Sequence, residues 1–83
     1  PGSADAMALA GDAALAAGDP AGALSLYRDA AKIRRPWPLT KRMAVALQRL
    51  GRGEEAALLV RMHLRGEPAN AEARALIGYL TAG

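Results

Sequence analysis

The chain has neither cysteine nor phenylalanine, and its only aromatics are one Trp and two Tyr. Without Cys there is no disulfide framework, no thiolate metal site and no Cys nucleophile. With so few aromatics and few β-branched residues, the apolar content falls to Ala, Leu, Val, Ile and Met. Ala and Leu are strong helix formers, and β-sheet composition is lacking. No apolar run approaches the roughly 18 residues that a membrane-crossing helix needs. No secretory signal pattern is visible. The sequence also lacks His-Glu-x-x-His, a phosphate-binding loop and a dinucleotide fingerprint. What remains is a short helical sequence of 83 residues, enough for one domain at most. A domain of this size buries only about 60–65% of its unfolded surface, so its stability margin is thin.

Net charge is +3 and basic residues are mostly arginine, with Lys32 and Lys41 the exceptions. That is mildly basic and short of the charge density of a dedicated nucleic-acid binder. Arginine over lysine, with abundant Ala and Gly, points to a GC-rich bacterial genome. Pro1-Gly2-Ser3 reads as the remnant of a cleaved tag, so the native start is expected to be missing. Compartment stays open between cytoplasm and periplasm.

Helix boundaries follow from local chemistry. Ser3 can cap a first helix over about Ala4–Ala17, and Gly18 suits a left-handed C-terminal cap. Asp19 as N-cap and Pro20 at the first helical position open a second helix, running to about Arg34. Arg35-Pro36-Trp37-Pro38 breaks it. Pro38 opens a third helix ending at Gly51, a fourth spans about Glu54–Arg65, and Asn70 caps a fifth over about Ala71–Ala82. Connections this short turn each helix back on its predecessor.

The chain also repeats itself. At an offset of 33 residues, Gly18-Asp19-Pro20-Ala21-Gly22-Ala23 falls on Gly51-Arg52-Gly53-Glu54-Glu55-Ala56, and Met7, Ala10 and Ala14 fall on Thr40, Met43 and Leu47. A further step of 34 carries Met43 and Ala44 onto Ile77 and Gly78. Small residues at Gly11, Ala23, Ala30, Ala44 and Ala56 let backbones approach; Met7, Leu24, Tyr27, Ile33, Met43, Leu47, Leu59 and Leu64 are expected to fill the space beside them.

A two-helix unit of this length resembles the tetratricopeptide repeat. The second-helix signature reads Ala23, Tyr27, Ala30 and again Ala56, Val60, His63, with Pro68 closing. The first-helix signature reads Met7, Ala10, Gly11, Ala14, then Thr40, Met43, Ala44, Leu47. The first-helix Trp and Tyr of the family are missing, Val60 replaces the usual aromatic, and His63 stands where a small residue belongs. The resemblance implies an all-α fold, a right-handed superhelical stack of antiparallel helix hairpins. The units are about 4–36 and 37–70, with a half unit over 71–83. Such units bury their apolar faces on each other, and three or more are usual. With about two and a half, either the chain is a piece of a longer array, the preferred reading, or its exposed ends self-associate.

The resemblance also implies a function: a protein–protein interaction scaffold that holds a peptide or partner protein in a concave groove lined by the first helices. It would be part of a larger bacterial assembly, secretion or envelope-associated protein. Lys41, Val45, Gln48 and Arg49 share one face of the third helix. The matching face of the first carries Asp12, and that of the fifth carries Glu72 and Tyr79. Lys41 and Arg49 are expected to pair with a carboxylate of the partner and Tyr79 to add apolar contact. The chaperone-binding branch of the family needs a carboxylate clamp, and of Ala8, Asp12, Lys41 and Val45 only Lys41 fits it. The alternative is a basic module, using Arg28, Lys32, Arg34 and Arg35, that touches nucleic acid or anionic membrane; neither is the expected partner. No catalysis, cofactor or metal is expected: His63 is read as a helix residue without an acidic partner at helical spacing, and Trp37 as a packing plug between units.

Overall fold

The computed structural model describes residues 3–82. Pro1 and Gly2, two of the three residues read as a tag remnant, lie outside the described residues, as does Gly83. The described residues form five α-helices and no strand: α1 (Ala4–Ala16), α2 (Pro20–Ala31), α3 (Trp37–Arg49), α4 (Gly53–Gly66) and α5 (Ala71–Thr81). The fold is all-α, as expected. Each helix packs on the next in sequence, in a slab of 35 × 25 × 15 Å.

The caps explain where the helices begin and end. Oγ of Ser3 accepts from the Ala6 amide at 3.1 Å, the Asp19 carboxylate from Gly22 at 2.9 Å, and the Asn70 amide oxygen from Ala73 at 3.0 Å. Gly18 and Gly51 have φ of +83° and +77°. Around Gly18, the Asp19 amide donates to the Ala14 carbonyl at 2.9 Å and the Gly18 amide to Leu15 at 3.1 Å. Around Gly51, the Arg52 amide donates to Leu47 at 2.9 Å and the Gly51 amide to Gln48 at 3.0 Å. These are two copies of one Schellman cap. Their members stand 33 residues apart, as do the first residues of α1 and α3 and of α2 and α4.

Most boundaries fall within a residue or two of expectation, α3 for example opening at Trp37 and not Pro38, but one differs by more. α2 stops at Ala31, three residues before Arg34. The Lys32 and Ile33 amides instead donate to Asp29 and Ala30, tightening the last turn. Pro36 stops the helix from continuing: it disfavours helical backbone at Arg35, and in a continued helix its ring would clash with the Lys32 carbonyl. Ile33 is consequently 57% exposed and not part of the core.

The core is small and alanine-rich. Ala23, Tyr27, Ala30, Ala44, Ala46, Ala56, Val60 and Ala73 are all fully buried, with Leu24, Leu39, Met43 and Leu47 beside them. Gly11 is buried against Tyr27, and a Cβ built on it would lie 2.5 Å from Cε1 of that ring. Gly78, aligned with Ala44 by the repeat, is exposed and meets nothing within 4 Å; the described residues hold no helix after α5 for it to pack on.

Two glycine-to-alanine changes should therefore act in opposite directions. Gly11→Ala gains at most about 1 kcal/mol of helix propensity. It costs about 1–3 kcal/mol in overpacking, because a buried ring must move. Gly78→Ala gains about 0.5–1 kcal/mol with no clash. Urea titration should show a lower midpoint for the first and a higher one for the second.

Candidate functional site

Residues from α1, α3 and α5 converge on a groove of about 400 Å³. α1 supplies Asp12 and Leu15, α3 supplies Pro38, Lys41, Arg42 and Val45, α5 supplies Glu72, and Tyr27 reaches in from α2. Of the residues singled out from sequence, Asp12, Lys41 and Val45 meet here, while Gln48, Arg49 and Tyr79 do not line the groove. Gln48 is half-buried, Arg49 is exposed, and Tyr79 is 65% exposed near the C-terminal end.

Two polar links frame the groove. On one side, the buried Tyr27 hydroxyl donates to Oδ1 of Asp12 at 2.5 Å, and Nε of Arg42 donates to the same oxygen at 3.0 Å. One carboxylate thus ties α1 to α2 and to α3. Burial, and then the Asp12 carboxylate, push the Tyr27 hydroxyl up to about 12; Arg42 and Arg49 pull weakly the other way. On the other side, Nζ of Lys41 donates to Oε2 of Glu72 at 2.9 Å, and the Trp37 indole N–H donates to Oε1. These contacts tie α3 to α5. The Lys41 hydrogen bond, and then that of Trp37, hold the Glu72 carboxyl below its usual 4.5.

Lys41 therefore already has a carboxylate partner within the chain. Sequence inspection placed Glu72 on the matching helix face but did not pair the two. Arg49 makes no ion pair among the described residues.

Trp37 is half-buried against the core, its ring centroid 5.1 Å from that of His63 at 42°. That geometry fits the packing role expected of it. For His63, the expectation of no acidic neighbour needs correction: Nε2 stands beside Oε1 of Glu67, four residues on. Sequence spacing alone could have found that contact. Among the described residues no group of three or more potential metal ligands converges, and no helix is long and apolar enough to cross a membrane.

Comparison with family models, with curated proteins and with solved structures returns no match to this chain. Its functional reading therefore rests on its own residues.

Two pH-dependent predictions follow from the two links. The Tyr27 value is raised in the folded state, so its contribution to stability is complete below about pH 10 and disappears as pH rises towards 12. Tyr27→Phe should destabilise the chain by about 1–2 kcal/mol at neutral pH. The gap in urea midpoint between wild type and variant should narrow across that alkaline window. The Glu72 value is lowered, so its contribution is present above 4.5 and is lost as pH falls through the depressed value. Fluorescence of the single Trp37 should change on acidification in the wild type, and Glu72→Gln should remove that transition.

Proposed function

We propose that the chain is a tetratricopeptide-like interaction module: a right-handed superhelical stack of helix hairpins whose first helices present a groove to a peptide segment of a partner protein. The single observation that carries the reading is the recess lined jointly by α1, α3 and α5. Three helices separated in sequence by α2 and α4 contribute to one apolar trough, with Leu15, Pro38 and Val45 along it and ionic links at its margins. The recurring offset and the duplicated Schellman cap support a repeat architecture of this kind.

In this reading the guest is an extended or helical peptide with an acidic group. Its carboxylate competes with Glu72 for Lys41 and takes Arg49, the cation of the third helix that has no partner within the described residues. Tyr79 extends the apolar contact past the end of the groove. The role is non-catalytic, within a larger bacterial assembly, secretion or envelope-associated protein. Several of the chain's cations are already matched by acids, Arg42 by Asp12, Lys41 by Glu72, Lys32 by Asp29 and Arg52 by Glu55. This weakens the field offered to a polyanion and favours a protein partner over nucleic acid.

Selection of peptides from a displayed random library against the full chain tests the proposal. Selected peptides should carry an acidic residue and lose at least about tenfold in affinity for the double variant Lys41→Ala/Arg49→Ala. They should lose as much for Val45→Glu, with circular dichroism confirming that both variants fold. Peptides that bind all three proteins equally would refute the groove as the binding surface. Tight binding to nonspecific DNA that collapses with salt would refute the choice of partner.

A further inference from the structure

A second recess lies between α2 and α4 and shares no lining residue with the groove above. Its volume is also about 400 Å³. The nearly buried Met43 and Leu47 of α3 form its floor. On the α4 side stand Leu58 and Met62, 56% and 47% exposed. They are four residues apart and so lie next to each other on one helix face. On the α2 side stand Arg28, Lys32 and Arg35.

Exposed large apolar side chains beside an apolar floor mark a contact surface. The charges around it are unbalanced. Lys32 has Asp29 at 3.2 Å, but Arg28 and Arg35 make no ion pair among the described residues. The one acid on the lining, Glu55, is engaged by Arg52. The recess thus offers an apolar trough with uncompensated positive charge along one wall.

We propose that this recess is a second docking site, and that it takes an acidic amphipathic helix of a partner protein. Apolar side chains at i, i+3, i+4 and i+7 of the guest enter the trough over Met43 and Leu47 and cover Leu58 and Met62. Carboxylates flanking that stripe pair with Arg28 and Arg35, where the guanidinium fork favours two-point contact. Shape and chemistry together select this occupant. A recess between two helices admits a narrow rod, whereas a lipid surface is flat and would meet Glu55 at the rim. Nucleic acid would use the cations but not the trough, and no aromatic side chain lines it for base stacking.

The test is a nuclear magnetic resonance titration of the full chain with two synthetic peptides. One carries Leu at i, i+3, i+4 and i+7 with Glu elsewhere; its twin carries Lys in place of Glu. The acidic peptide should shift the resonances of Leu58, Met62 and Arg28 and bind at least about tenfold tighter than its twin. Arg28→Glu/Arg35→Glu should invert that preference. Both substituted residues are exposed, and circular dichroism should confirm that the variant folds. The Lys41→Ala/Arg49→Ala variant should leave this binding unchanged, which separates it from the first groove. Equal affinity for the two peptides, shifts centred elsewhere, or no shift at millimolar peptide would overturn the proposal. So would tighter association with phosphatidylglycerol vesicles than with the acidic peptide, or closure of the same face by a second copy of the chain.

Discussion

The placement of the first three helices depends on one contact, the Tyr27 ring laid against Gly11. Because Gly11 has no Cβ, α1 can sit close enough to α2 for the ring to be fully buried between them. Burial in turn aims the hydroxyl at Asp12, and Asp12 holds Arg42 on α3. A phenol taken from water needs an acceptor, and an ionised acceptor gives the stronger bond. A single apolar contact thereby sets a polar link that spans α1, α2 and α3. The cost of failure is large in a chain whose core is otherwise mostly alanine, because few other buried side chains are big enough to define the spacing.

Magnitudes separate the two links that frame the first groove. The Tyr27–Asp12 bond is made by a buried donor, and losing it leaves Asp12 with only Arg42. The Lys41–Glu72 pair is about half-exposed at both ends, and solvent screening leaves such pairs little net effect on stability. The first link therefore fixes structure. The second positions α5 with little energy behind it. A buried polar group is also tolerated at Thr40, whose hydroxyl has no partner among the described residues; nothing in the structure explains that choice.

Much of the fold could be read from local sequence. Ser3, Asp19 and Asn70 are short-range caps, and Gly18 and Gly51 mark left-handed turns, because each of these acts within a few residues of itself. The early end of α2 was harder to place, since the unwinding ahead of Pro36 spreads over several residues and carries Ile33 outward. The pairing of Glu72 with Lys41 and Trp37, across 31 and 35 residues, could not be read from spacing. Helix faces indicated that Lys41 and Glu72 look the same way, but contact requires knowing how α3 and α5 are set against each other. The His63–Glu67 contact is a different case, because a simple i,i+4 relation carries it.

The repeat shows why departures from a motif must be judged in sets. Moving by 33 residues turns Gly11, Asp12 and Tyr27 into Ala44, Val45 and Val60. Taken singly, Val60 in place of a tyrosine suggests a packing defect. Taken together, the three changes compensate. A ring is lost where a methyl is added, and Val45 replaces the acid in the unit whose second helix has no tyrosine hydroxyl to donate to it. Ala44 and Val60 are both fully buried. The same shift turns Ala4 and Ala30 into Trp37 and His63, and these two rings pack on each other. The first unit thus places its large side chain at Tyr27, in the middle of α2, and the second places its own at the start of α3 and the end of α4. In the first unit the steric and polar requirements of Tyr27 are met at Gly11 and Asp12, the positions it touches. A change at one member of either set should therefore cost more than the same change made together with its partners.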